Sequence, residues 1–165
     1  MKLAEILGFV AEYPGFPVEV TGGEPLVQED VYELLDGLLE AGRRVLLETN
    51  GSLPLDRVPA GVVKIVDIKC PGSGMAAHND TDNLLLLCPE DELKFVLASR
   101  EDYDWAKDFL RVHQLGGETR IIHFSAASEL LAPVTLADWI LEDRLPVRFQ
   151  LQLHKVLWPE TNRGK

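Results

Sequence analysis

Apolar positions in this chain keep two rhythms that take turns. Leu3, Ile6, Leu7 and Val10 share one helical face, and Pro14 and Pro17 bracket its exit. Val18–Thr21 then reads as a short strand. Val31, Leu34, Leu35, Leu38 and Leu39 form an i, i+3, i+4, i+7, i+8 stripe that predicts a helix over roughly residues 28–41, with Gly42 at the expected C-terminal glycine position. Further strands are predicted at Val45–Thr49, Val62–Lys69, Glu92–Leu97, Arg120–Ser125 and Val147–Leu153. Helices are predicted over residues 103–114, closed by Gly116-Gly117, and over Thr135–Glu142, which opens on a Thr-x-x-Asp capping pattern. The long connection 70–91 suggests a short helix near Asn83–Leu87.

Strands separated by helices, without an Asn-Gly hairpin between neighbours, imply parallel pairing. Buried parallel strands usually read as unbroken apolar runs. Here one face of most strands is polar. Glu19 and Thr21 alternate with Val18 and Val20, Asp67 and Lys69 with Val66 and Ile68, and Glu92 and Lys94 with Leu93, Phe95 and Leu97. His123 and Ser125 oppose Ile122 and Phe124, and Gln150, Gln152 and His154 oppose Phe149, Leu151 and Leu153. The apolar face calls for a layer of helices and the polar face for a lumen or groove. About six strands are too few for a closed eight-stranded barrel. The fold class is therefore α/β: an incomplete, curved (β/α) partial barrel of mainly parallel strands with a polar interior, in one domain over residues 1–165.

The chain of 165 residues carries a net charge of −11, from 27 acids and 16 bases. An acidic surface repels phosphate backbones and anionic lipid, so neither nucleic acid nor a membrane is an expected partner. No apolar run is long enough to span a bilayer. Glu5 and Glu12 interrupt what would be the apolar part of a signal peptide, and two cysteines, Cys70 and Cys88, make no disulfide framework. The expected location is cytoplasmic.

Chemistry concentrates where predicted strands end. Thr21-Gly22-Gly23-Glu24-Pro25 follows a strand directly, at the end of a parallel sheet where ligands bind. Its glycines let backbone groups approach a ligand, and Glu24 is suited to accept hydrogen bonds from an ammonium group. The competing reading is a tight strand-to-helix turn with an acid near the helix N-terminus. It is not a phosphate loop, because no Gly-Lys-Ser/Thr follows. In Asp67-Ile68-Lys69-Cys70-Pro71-Gly72-Ser73-Gly74, the first and third residues share the polar face, either as a lumen salt bridge or as a hold on a polar ligand. Cys70 reads as a structural cysteine and Cys88 as core. Glu48-Thr49-Asn50-Gly51 ends another strand and, taken alone, is a turn. His154 stands just before a Leu157-Trp158-Pro159 anchor that would pack the tail over the site. No cysteine or histidine pair has metal-ligand spacing.

Taken together, TGGEP, ETNG, DIKCPGSG, ELKFV and the ending QLHKVLWP resemble the 7-carboxy-7-deazaguanine synthases of the radical S-adenosylmethionine superfamily, from about residue 18 onward. The resemblance implies an enzyme, a carbon–nitrogen lyase. Its substrate would be 6-carboxy-5,6,7,8-tetrahydropterin and its product 7-carboxy-7-deazaguanine, with loss of ammonia, a step toward queuosine and other deazapurines. The implied cofactors are S-adenosylmethionine, a [4Fe-4S] cluster and Mg2+. The implied partners are an electron donor such as flavodoxin and a second copy in a homodimer. Gly22, Gly23 and Glu24 match the stretch that holds the methionine end of S-adenosylmethionine. Asp67, Ile68 and Lys69 match a second cofactor-binding stretch, and Ser125 and Ala126 a third. Thr21, His154 and the terminal Lys165 match substrate-contacting positions; no residue is assigned as catalytic.

One departure bears on activity. The family carries three closely spaced cysteines on a loop after its first strand, and this chain has no such loop. Nor does it hold the segment that supplies a substrate arginine and a magnesium-binding threonine. The expectation is an N-terminally truncated form, missing its first strand and inactive alone, with an exposed sheet edge beside Val18–Thr21. The alternative is a non-catalytic module that binds S-adenosylmethionine or a pterin.

Overall fold

The computed structural model describes residues 2–115, 121–127 and 130–158. Six strands form one sheet in chain order: β1 (Val18–Val20), β2 (Val45–Thr49), β3 (Val62–Ile68), β4 (Glu92–Leu97), β5 (Ile121–Ala126) and β6 (Arg148–Gln150). The order ends on β1 and β6, so the sheet is open. The β1–β2, β2–β3, β4–β5 and β5–β6 pairings are all parallel. The helices are α1 (Leu3–Ala11), α2 (Asp30–Glu40), α3 (Arg100–Val112), α4 (Pro133–Asp143) and α5 (Leu153–Leu157). The parallel α/β architecture read from the pattern is the one observed.

The chain divides into two compact units, Met1–Val66 with Asp80–Asp91, and Asp67–Asn79 with Glu92–Lys165. In the first unit, alternation sends Val45, Leu47, Val62 and Val66 into the core, where Val31, Leu35 and Leu38 of α2 also lie buried. Leu7 of α1 rests against α2 at Gly37, where an added Cβ would meet its Cδ1 at 3.4 Å. Arg43 fixes the end of α1 by donating from Nη2 to the carbonyls of Val10 and Tyr13. Beside the β1 edge, Phe9, Tyr13 and Phe16 stay exposed and line a largely apolar groove with Pro17 and Val18.

One charge lies on the buried face. Lys64 of β3 is 5% exposed, and its Nζ stands 2.9 Å from Asp91 Oδ2. Asp91 also accepts from the Lys64 and Cys88 backbone amides, each at 2.7 Å. The Asp91 carboxylate is thus fully engaged although almost nothing of it reaches water, which is the condition for burying a charge.

The second unit has an aromatic core. Phe95 of β4 packs edge-on against Phe124 of β5, with centroids 5.3 Å apart, and against Phe109 of α3. Tyr103 joins them beside Phe124 and Trp139. Its hydroxyl is shared between Trp139 O at 2.8 Å and Asp143 Oδ2 at 2.9 Å, which satisfies a polar tip at the edge of an apolar body.

Several predicted bounds move. Ser99, whose Oγ accepts from the Asp102 amide, caps α3 three residues earlier than the apolar stripe suggested. The α4 helix starts at Pro133, so Thr135 lies inside it and caps nothing; proline at the first helical position sets the start. The last strand stops at Gln150, and His154 lies on α5 rather than on a strand. Leu84–Leu86 belong to a 3₁₀ helix, Thr81–Leu86, on which Leu85 and Leu86 are exposed, and Leu87 follows it in extended backbone. Cys88 is exposed, not core, because the turn through Pro89 is tied down by its amide rather than its thiol.

Candidate functional site

In the first unit, β1 delivers Thr21-Gly22-Gly23-Glu24 to its carboxyl end. Gly22 has φ 156°, and an added Cβ at either glycine would meet nothing within 4 Å. The space beside both glycines is therefore open. That space is a cavity of about 550 Å³ lined by Leu3 and Ile6 of α1, by Thr21, Gly22 and Gly23, and by Gln28.

Glu24 turns away from isolation. Its Oε1 accepts from the Leu26 amide at 3.1 Å and the Thr49 hydroxyl at 2.8 Å, and its Oε2 from the Asn50 amide at 2.7 Å. It thus caps the 3₁₀ turn Pro25–Val27 and bridges to the end of β2. Thr49 Oγ1 in turn accepts from the Gly51 amide at 3.2 Å. Gly51 has φ 67°, and a Cβ there would meet Val66 Cγ1 at 2.7 Å, so both backbone and space demand glycine. Asn83 completes this knot. Its Nδ2 donates to Gly51 O and Leu53 O, and its Oδ1 accepts from the Leu55 amide.

In the second unit, Lys69 Nζ stands 2.6 Å from Asp67 Oδ2, so the same-face pairing expected from their spacing is present. Asp67 Oδ1 is buried and has no hydrogen-bond partner among the described residues. Ile68 points to the opposite face and is 3% exposed, so only its backbone is available to a ligand. Asn79 clamps Lys69 from outside the strand, accepting from its amide and donating to its carbonyl, each at 2.9 Å. Asp102 of α3 accepts from the Gly72 amide at 2.7 Å and the Ala98 amide at 2.9 Å, which holds the Pro71-Gly72 turn against the start of α3.

Burial pushes the Cys70 thiol up to about 12, and the nearby Asp102 and Asp67 charges add to the effect. It stays a protonated thiol at neutral pH, which fits a structural cysteine and not a nucleophile or thiolate ligand.

Ser125 and Ala126 end β5, both buried, with Ser125 in register between Val96 of β4 and Gln150 of β6. Two residues earlier, Lys94, His123 and Arg148 stand in register, and His123 Nε2 lies 2.8 Å from Glu92 Oε2. His154 lies on α5; Lys165 falls outside the described residues. The structure thus brings together Thr21 to Glu24 in one unit and Asp67 to Lys69 in the other. Sequence reasoning missed Asn79, Asn83, Asp91 and Asp102, the side chains that hold these turns. The available signal was their position at turn and helix starts, where Asn and Asp side chains bind backbone.

The donor set separates the implied groups. In the first unit the open space at the glycines suits the amine and carboxylate end of a ligand such as S-adenosylmethionine, and in the second the orphaned Asp67 oxygen suits a hydroxyl or amine donor. An iron–sulfur cluster does not fit. The chain has two cysteines, one deeply buried as a thiol, and no group of three His, Cys, Asp or Glu side chains among the described residues could hold a metal ion.

Comparison with known proteins agrees with this frame. No protein-family model matches the chain. Its fold is similar to that of Streptococcus suis SuiB: the structure of SuiB bound to S-adenosylmethionine gives a TM-score of 0.59 at 15% identity over 94% of this chain and 42% of SuiB. Sequence relatives narrow the class. The 7-carboxy-7-deazaguanine synthase of Koribacter versatilis is 45% identical over 92% of this chain and 73% of its own length. That of Chlorobaculum tepidum is 46% identical over 99% of this chain and 76% of its own. The chain belongs to the 7-carboxy-7-deazaguanine synthase family.

Proposed function

We propose that this chain forms the greater part of an enzyme that converts 6-carboxy-5,6,7,8-tetrahydropterin to 7-carboxy-7-deazaguanine with loss of ammonia, as a carbon–nitrogen lyase of queuosine and deazapurine biosynthesis. The observation that carries it is 45–46% identity to synthases over nearly the whole chain. When bound, S-adenosylmethionine supplies the radical chemistry, and the protein supplies orientation and shielding.

The chain's own residues divide that work. Gly22 and Gly23 present backbone groups to the methionine end of the cofactor. Asp67 Oδ1, buried and unpartnered, accepts from a cofactor hydroxyl or amine, and Lys69 holds its other oxygen in place. Ser125 and Ala126 line a third stretch of that site. Thr21 contacts the pterin, and His154 and Lys165 close on it. A cluster and Mg2+ would find their ligands elsewhere than in the described residues. The completed enzyme takes electrons from a donor such as flavodoxin, works in the cytoplasm and pairs as a homodimer. No helix among the described residues is long and apolar enough to cross a membrane.

The test joins this chain to an upstream segment bearing the family's three-cysteine loop and reconstitutes it with iron and sulfide without oxygen. A brown protein that converts the carboxypterin to the deazaguanine is expected. A brown protein that cleaves S-adenosylmethionine but leaves the pterin untouched would sink the substrate assignment.

A further inference from the structure

We infer that Glu24 is a positioning residue, whose carboxylate ties the ligand-facing Gly22-Gly23 turn to the Thr49-Asn50 turn, and that it does not itself receive the ligand's ammonium group. This rests on the reading that S-adenosylmethionine binds at residues 22–24. Spacing alone left two roles open, a carboxylate that accepts from an ammonium group and an acid at the start of a strand-to-helix turn.

A carboxylate has about four acceptor directions. Three are filled by donors of the protein: Leu26 N, Thr49 Oγ1 and Asn50 N, all within 3.1 Å. Hydrogen bonds to an ionised acceptor are the strong ones, and two of these are 2.7 and 2.8 Å long. An ammonium group placed on this carboxylate would compete with bonds already made.

The partner turn is itself rigid. Thr49 is 2% exposed, and its hydroxyl is used in both directions, donating to Glu24 and accepting from Gly51. Gly51 is fixed by its positive φ, by Val66 behind it, and by Asn83 and the Asp80 amide on its carbonyl. Glu24 carries this rigidity across 25 residues of chain to a turn whose glycines have no side chains of their own to anchor it. The ligand's polar end then meets backbone groups of Gly22 and Gly23, held in place from behind.

The test uses the full chain, Glu24→Gln, Thr49→Val and the double variant, with two ligands in titration calorimetry. The ligands are S-adenosylmethionine and its deaminated analogue, in which hydrogen replaces the α-amino group. Each single substitution removes or inverts one charge-assisted bond, so affinity is expected to fall about tenfold in both variants. The loss should be the same factor for both ligands, and the double variant should lose less than the product of the two. Hydrogen exchange at Gly22 and Gly23 should quicken in Thr49→Val, with the thermal midpoint showing the protein still folded. If Glu24→Gln weakens only the amine-bearing ligand, and Thr49→Val weakens neither, Glu24 touches the ammonium and the inference is wrong. Wild-type protein that gives no heat with S-adenosylmethionine overturns the reading of the site, and the inference with it.

Discussion

Asp102 occupies the place where a side chain on Gly72 would have to go: a Cβ there would lie 2.5 Å from Oδ2 and 3.0 Å from Oδ1. The carboxylate is 1% exposed and bound to backbone amides on two elements, so it cannot swing aside. Gly72→Ala is expected to cost about 1–3 kcal/mol, as overpacking does. In an Asp102→Ala background the same change should cost much less, because the obstacle is gone. Thermal unfolding of the four proteins measures this; equal costs in both backgrounds would show that the contact is not the cause.

Lys64 and Asp91 make a second buried dependency. Lys64→Met removes the ammonium and leaves a carboxylate 1% exposed with only amides around it. Breaking such a pair from one side costs about 3–5 kcal/mol. The denaturant midpoint should fall with an unchanged slope. A midpoint within error of wild type would mean that solvent reaches Asp91 after all.

Stability should bend with pH at both ends through Tyr103 and Asp143. Burial, followed by the hydrogen bond to Asp143 and its charge, raises the Tyr103 pKa above its usual 10.0. The neutral form is the one the fold prefers, so this contribution is whole below pH 10 and is lost as pH climbs past it. Asp143 goes the other way. Hydrogen bonds from Lys107 and then from Tyr103 lower its pKa from the usual 3.8, so its contribution is present above that value and is lost as pH falls through the folded value. Tyr103→Phe should flatten the alkaline loss and leave most of the acid one. An unaltered alkaline limb in the variant would assign that loss to another group.

The outer edge of β1 invites company. Phe9, Tyr13 and Phe16 are more than half exposed beside a strand that ends the sheet order. Exposed apolar edges promote association. Sedimentation at increasing concentration should show self-association, and Phe16→Asp should reduce it. A wild-type chain that sediments as one monomer throughout would contradict this.

What could be read in advance, and what could not, divides by range. The strands were legible because alternation is local: Val45, Leu47 and Thr49 turn inward and Leu46 and Glu48 do not. The end of the chain misled for the same reason. Gln150, Gln152 and His154 continue a period of two, but the backbone turns into α5 at Leu153, and alternation cannot register the change. The ligand-facing turns were visible as motifs, yet their supports were not. Asn83 reaches residues 28 to 32 positions away, and Asp102 reaches Gly72 across 30. Nothing in the neighbouring sequence specifies such partners. The role of Glu24 was obscured likewise, since its acceptors are filled by Thr49 and Asn50 from another strand end.

Arg43 gives the first helix an unusual tenure. No residue of α1 is fully buried, and its last turn hangs from carbonyls gripped by one guanidinium. Because Leu3 and Ile6 wall the cavity at Gly22 and Gly23, the grip of Arg43 on the far end of the helix also secures one wall of that chamber.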